Sequence, residues 1–385
     1  MKKICGIATL PGTINSFMLG NLEYVSDNGY ESYCISAPGK IDSEKVHFIP
    51  VSRMKWGVMT PVELVKCIYA LYKIFKREKF DIIQYATSNA AFCSSIAGWL
   101  ARVPVRINCQ WGISYPVYRG WKRWMFYFSH KTTCTLSTSV QPDSMGNLKF
   151  SIEHKLYPES KGTVLYNGSA CGVDLNKYNI HRRADWRKEI FDQYNLAGYK
   201  MIYGFVGRVV VEKGINELLT AFMKMNKPDT CLMMVGPLDD VNGLNQDVYN
   251  QSLELPNIIY VGKVPNAAKY YAAFDYMMLP SYQEGFGMSV LEAAAEGTPS
   301  IISDIKGPTE LIEDGFNGLI CSVKSVDSLC DVMQKAYNMS KEEYDVMALN
   351  SYEKAARDFD DREFKRIFLE NRNSLLNEHN KKLNK

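Results

Sequence analysis

"MIYGFVGRVVVEKGINELLTAF", residues 201–222, decides how this chain folds. An apolar run ends at Gly207, a short loop follows, and an amphipathic stretch begins after Gly214. That order reads as strand, loop, helix, the repeating unit of a parallel α/β sheet. Working outward, "CLMMVG", "IIYVGKV", "YMMLP", "PSIISD" and "NGLICSV" follow as short apolar strands, each ending in a turn. The same rhythm runs through the first half. Lys3–Ala8 reads as strand and Phe17–Asn28 as helix. Glu31–Ser36 and Val46–Ile49 are strands, Pro61 opens a helix to Lys79, and 81–86 and 105–110 are strands about a helix at 90–102. "TTCTLST" (132–138) and "GTVLYNG" (162–168) read as later strands of the first sheet. The rhythm lapses at the charged stretch "HRRADWRKEIFDQYNLAG". The expectation is two Rossmann-like α/β domains with parallel sheets facing a central cleft. They span 1–190 and 191–355, and a terminal helix, 356–385, returns toward the first domain.

Bulk properties agree. A chain of 385 residues is long for one core, and 46% apolar residues suffice for two. A net charge of +3 argues against a nucleic-acid protein held by charge. The ten cysteines form no C-x-x-C pair, so they read as small buried hydrophobes rather than a zinc or redox site. "MKKICGIATLPG" has the lysines and apolar run of a signal peptide, but Pro11 ends the run early and a first strand fits better. No run of 18 apolar residues offers a membrane-spanning helix.

Two constellations carry chemistry. In "EGFGMSVLE" (284–292), Gly285 and Gly287 lie between a strand and a helix. In such sheets ligands bind beyond the carboxyl ends of strands, where helix N-termini point and favour anions. Glu292 shares a helix face with Met288 and Ser289. In "GRVVVEKG" (207–214), Arg208 follows a strand and Lys213 precedes a helix, which suits a diphosphate. Taken singly, each set reads equally as exposed surface charge.

Together they resemble the retaining GT-B glycosyltransferases of family GT4. The family's E-x7-E motif matches Glu284 to Glu292, its upstream cations match Arg208 and Lys213, and "GPTELIEDGFNGLI" (307–320) looks like its next segment. The resemblance is strongest over 200–325. It implies a nucleotide-sugar donor, expected to be a UDP-sugar. Glu292 would bind ribose. Glu284, Gly285, Phe286, Gly287, Met288 and Ser289 would hold the sugar and phosphates. Lys263 and Val264 would lie by the base, and Gly12 in "PGT" would sit on a loop facing the donor phosphates. Arg208, Lys213 and Glu284 would be the catalytic set, with the anomeric configuration retained. The family usually needs no metal, and none is expected here. The D-x-D at Asp358–Asp360 reads as the start of the charged terminal helix.

One departure stands out. Many relatives carry a histidine in the N-terminal domain. The histidines here, His47, His130, His154, His181 and His379, fall elsewhere, and Trp111 occupies the place of a family "HG". Trp111 is a candidate wall of the acceptor site or an ordinary packed tryptophan.

Basic and aromatic residues interleave in "SRMKWGVM" (52–59), in helix 61–79 and in "YRGWKRWMFYFSHK" (118–131). This pattern fits an interfacial surface or a solvated face over a packed core. The expected acceptor is a glycan or polyprenyl-diphosphate-linked sugar, used by a cytoplasmic protein peripheral to the inner membrane face. A soluble acceptor and a non-catalytic nucleotide-sugar-binding partner are the competing readings. A nicotinamide enzyme would carry G-x-G-x-x-G after the first strand, and "GIATLPGTINSF" lacks that spacing.

Overall fold

The computed structural model describes all residues except Asp240, Asn384 and Lys385. The chain divides into two units. One comprises Met1–Gly172 and the segment from Arg362 onward, the other Val173–Asp361.

The first unit is a parallel six-stranded sheet of β1 (Lys2–Ile7), β2 (Tyr30–Ser36), β3 (His47–Pro50), β4 (Ile82–Tyr85), β5 (Val105–Gln110) and β6 (Ser139–Pro142). Its order is β3-β2-β1-β4-β5-β6. Ile4↔Ile82 and Ile7↔Tyr85 fix the β1–β4 register. Alternate residues of a strand face opposite sides, so both faces are buried. Ile4, Cys34, Ile82 and Ile107 pack with Ile14 and Leu22 and with Phe364, Phe368 and Leu376 of the last helix, Asp361–Leu383. Cys5, Ile7, Tyr33, Ile83 and Tyr85 pack on the other face with Cys67, Leu71 and Phe75 of the helix Pro61–Glu78, and with Cys93 and Ala97 of the helix Ser88–Leu100.

The second unit repeats the plan. Its strands are β7 (Met201–Val206), β8 (Thr230–Val235), β9 (Ile258–Gly262), β10 (Tyr276–Leu279), β11 (Ser300–Ser303) and β12 (Gly318–Cys321), in the order β12-β11-β10-β7-β8-β9. Tyr203, Phe205, Leu232, Met234 and Ile301 bury one face with the helices Ile215–Met225 and Val326–Asn338. Ile202, Met233, Met277 and Ile302 bury the other with Val290 and Leu291 of the helix Met288–Ala295.

Several expectations are corrected. The first domain was expected to run to 190, but the chain changes units at 172/173. Trp186 and Ile190 are buried in the second unit's core, and Arg187 is bonded to Ala273 O (2.7 Å) and Asp275 Oδ1 (2.8 Å). The second unit correspondingly ends at Asp361, not 355. Residues 132–136 are not strand but the end of the helix Gly120–Leu136. Thr133 and Thr135 donate their hydroxyls to Ser129 O (2.9 Å) and Lys131 O (2.7 Å), the back-bonding that admits β-branched hydroxyl residues to a helix. "GTVLYNG" forms no strand either. Tyr166 has φ 50°, which breaks an extended run. The expected helix at 17–28 is two helices, Pro11–Phe17 and Leu19–Asp27, so "PGT" opens a helix rather than forming a loop. Asp358 closes the helix Lys341–Asp358 instead of opening the next, with Arg357 gripping both its oxygens at 2.7 Å. Phe359 then turns into the core and ends the helix.

Candidate functional site

In both sheets the strand order reverses between two neighbouring strands. Loops leaving the carboxyl ends of those strands diverge and leave a crevice, the usual ligand position in open α/β sheets. In the second unit these strands are β7 and β10. The loop after β7 carries Arg208 and Lys213; the loop after β10 carries Glu284, Gly285 and Phe286. The reversal brings together two segments more than seventy residues apart.

The two loops are in contact. Tyr282 N donates to Glu212 O (2.9 Å). A Cβ on Gly214 would lie 2.0 Å from Pro280 O, so only glycine permits this approach. Lys213 Nζ donates to Glu284 Oε1 (2.5 Å), and Ser281 Oγ donates to the same oxygen (2.6 Å). Both members of the ion pair are largely shielded, with 24% and 13% of their side chains exposed. Arg208 is exposed on the same loop.

Gly287, at φ 90°, caps the helix Met288–Ala295 without offering a side chain, and the first turn holds no acidic residue. Val290 N already bonds Gly287 O (2.9 Å), but the amides of Met288 and Ser289 come before any intrahelical acceptor. An anion there would meet the positive end of the helix dipole. Phe286 is buried in the core, and Met288 packs against it.

Glu292 lies one turn along. Tyr271 donates its hydroxyl to Oε2 (2.8 Å), and Tyr178 also bonds the carboxylate. Burial raises the Glu292 pKa above the ordinary value, while the two tyrosines and nearby Lys177 act against that rise. Two phenols fix the carboxylate without neutralising it. Lys263 and Val264 follow the edge strand β9. Lys263 is exposed, while Val264 packs on the core that holds Phe286. The segment leads into the helix Ala268–Ala273, which carries Tyr271.

Residues 187–354 match the family model "Glycosyl transferases group 1". This region is a group 1 glycosyltransferase domain. The chain is 25% identical over 343 residues to the "Capsular polysaccharide biosynthesis glycosyltransferase CapM" of Staphylococcus aureus, covering 88% of each chain. It is also 25% identical over 309 residues to an Escherichia coli enzyme, "UDP-Gal:alpha-D-GlcNAc-diphosphoundecaprenol alpha-1,3-galactosyltransferase", covering 76% of this chain and 74% of that one. Among solved structures, Anabaena HepE in complex with UDP and glucose superposes with a TM-score of 0.78 at 16% identity, over 97% of this chain and all of that one. The fold is GT-B.

In the first unit, the order reverses between β1 and β4. Gly12 sits in the first turn of the helix after β1, with open space around its Cα. Trp111 follows β5 directly. Its ring meets Phe17 edge-on at 5.7 Å, and it lines a cavity of about 20 Å³ with Asn21, Gln84, Gln141 and Arg372. None of the five histidines lies at the ends of β4 or β5. His130 is on the helix Gly120–Leu136, where burial pushes its pKa down to about 4.

Sequence reasoning did not single out Tyr178, Tyr271 or Ser281, whose partners lie up to 114 positions away in the case of Tyr178 and Glu292. It also passed over Thr87, which follows β4 with φ 65° and ψ 143°, a conformation costly for any residue with a Cβ. Its hydroxyl lies 2.7 Å from that of Thr9, which follows β1, and accepts from Thr9 N (3.1 Å).

Proposed function

We propose that this glycosyltransferase moves one sugar from a UDP-sugar, with retention of configuration, to a polyprenyl-diphosphate-linked glycan. The observation that carries the reading is the Lys213–Glu284 ion pair beside the uncapped start of the helix Met288–Ala295. Charge develops on the leaving diphosphate as the glycosidic bond breaks. Lys213, Arg208 and the first amides of the helix supply the positive charge to meet it. Such preorganised stabilisation is usually the largest single term in catalysis. Glu284, held by Lys213 and Ser281, presents its second oxygen to sugar hydroxyls. Glu292, oriented by two tyrosines, takes the ribose diol. Lys263 and Val264 border the base, and Gly285, Gly287 and Ser289 let the donor approach the backbone. In the first unit, Gly12 and Trp111 are assigned to donor phosphates and acceptor.

The positive charge needed by the leaving group comes from the protein in this reading. Transfer therefore persists in EDTA, and strict dependence on an added divalent ion would reject it. The reading extends the wording of the relatives: the E. coli enzyme is named for UDP-galactose and a diphosphoundecaprenol acceptor, and the S. aureus protein for capsular polysaccharide.

The deciding experiment is saturation-transfer NMR of the full chain against UDP-, GDP- and ADP-sugars. Selective binding of a UDP-sugar, lost in Glu292→Ala, is expected. Selective binding of another nucleotide would overturn the donor assignment. Binding without transfer to any acceptor would favour a non-catalytic role. The anomeric coupling constant of the product distinguishes retention from inversion.

A further inference from the structure

A helix on the surface of a folded domain normally turns its apolar stripe inward. The first half of the helix Gly120–Leu136 does the reverse. Trp121, Trp124, Met125 and Phe128 recur at i, i+3, i+4 and i+7, so they share a face. They are 69%, 64%, 41% and 59% exposed. The opposite face makes the packing: Phe126, Tyr127 and Cys134 join the small core around Tyr115 and Leu156. Trp124 and Phe128 lie 6.2 Å apart, so the outward rings form a continuous patch.

The charge around the patch has one sign. Arg119, Lys122 and Arg123 are exposed at the start of this helix. From residue 82 to residue 142 the chain contains no aspartate or glutamate, yet it carries Arg102, Arg106, Arg119, Lys122, Arg123 and Lys131. The helix Ser88–Leu100 packs between this helix and the helix Pro61–Glu78, which exposes Val62, Val65 and Tyr69 beside Lys66.

We propose that this face docks on an anionic lipid bilayer. Trp121, Trp124, Met125 and Phe128 enter the interfacial layer, and Arg119, Lys122 and Arg123 meet the headgroups. Two tryptophans flanked by cations suit that layer, where amphipathic rings settle and basic side chains reach phosphates. Charge of a single sign around exposed rings complements an anionic surface, which favours the bilayer as occupant. The inference rests on the proposed lipid-linked acceptor for its purpose, since such a substrate is confined to a bilayer.

The test is cosedimentation of the full chain with phosphatidylcholine vesicles, with and without phosphatidylglycerol. Binding is expected only with phosphatidylglycerol and should weaken as salt rises. Trp121→Ala/Trp124→Ala/Phe128→Ala should lose about tenfold or more in partition. Lys122→Glu/Arg123→Glu should lose about fivefold or more for each cation reversed. Val346→Ser/Leu349→Ser, in exposed positions of the second unit, should bind like wild type. Thermal melts check that the variants fold, and quenching of tryptophan fluorescence by brominated lipid reports insertion. Wild type that stays in the supernatant, or a triple aromatic variant that partitions normally, would overturn the proposal. The acceptor reading fails separately. Vesicle binding with transfer only to soluble acceptors would keep the surface and discard the lipid-linked acceptor. Transfer to a lipid-linked acceptor in detergent by a chain that ignores vesicles would do the opposite.

Discussion

The two units share one strand order and differ at the point where it reverses. After β7 and β10 stand Lys213 and Glu284, a shielded ion pair supported by Ser281. After β1 and β4 stand Thr9 and Thr87, two hydroxyls in mutual contact. Topology opens the same crevice twice, and side chains give each a different chemistry. One end is built for concentrated charge. The other offers neutral hydrogen-bonding groups and an uncharged turn at Gly12.

The largest effect should come from the charged end. Glu284→Ala and Arg208→Ala should each lower kcat by about 10²-fold or more, the usual scale for losing one transition-state contact. Thr87→Ala should cost less than about tenfold, since it removes a neutral hydrogen bond. Steady-state kinetics on all three variants settles the contrast. Equal losses at Thr87 and Glu284 would erase it, and near-normal turnover in both charge variants would remove the site assignment.

A second contrast concerns stability. Arg372 is fully buried in the first unit and is bonded to Gln84, Gln141 and Asn371, with Phe368 against its guanidinium at 3.7 Å. Burial pushes its pKa down to about 10, so it stays charged at neutral pH. Arg372→Ala strands the amide oxygens of Gln84 and Gln141, while Asn371 keeps its bond from Gln141 Nε2 (2.8 Å), and should destabilise the first unit by about 3 kcal/mol. Hydrogen exchange should show the loss in β4 and β6 while the second unit's strands keep their protection. Uniform loss over both units would mean that they unfold as one.

The second unit has a buried ionisable group of its own. Both oxygens of Glu296 are buried without a well-formed hydrogen bond, and burial pushes its pKa up to about 7 against an ordinary 4.5, with Arg183 and the backbone of Asn179 acting against the rise. The unfolded chain releases this proton first. Between about pH 4.5 and 7 the folded form therefore binds more protons, and this group's contribution to stability falls as pH rises. Glu296→Gln should gain on the order of 2 kcal/mol relative to wild type between pH 5 and 8. Parallel denaturation curves across that range would show that Glu296 does not titrate there.

A smaller effect than these stability changes sharpens the second unit's site. Tyr271→Phe removes one bond to Glu292 and should weaken UDP binding by about tenfold. The loss should vanish with 2′,3′-dideoxy-UDP. A loss of the same size with that ligand would show that Tyr271 acts elsewhere.

Much of this was legible in the sequence. Buried parallel strands declare themselves by apolar runs, so β5 and most of the second unit's strands fell where expected. Arg208, Lys213 and Glu284 stood out because charge at glycine turns is easy to see, and Glu292 by its spacing from Glu284. What was hidden depended on long-range packing. Thr133 and Thr135 looked like strand residues because their hydroxyl bonds to the preceding turn cannot be read from residue type. The boundary at 172/173 was missed because 173–194 is polar on one side and packs through few residues, Trp186 and Ile190 among them. Tyr178 and Tyr271 were missed because an isolated tyrosine carries no pattern.

The chain leaves its first unit at Gly172 and re-enters it at Arg362. On the ribosome, the second unit is therefore a single uninterrupted stretch that is complete while the first still lacks a helix. Phe364, Phe368 and Leu376 are made only after the second unit, and until then the cluster around Ile4 and Ile82 is open on one side. The half with the exposed tryptophans is thus interrupted by the other, and its core stays unsealed while the whole second unit is made.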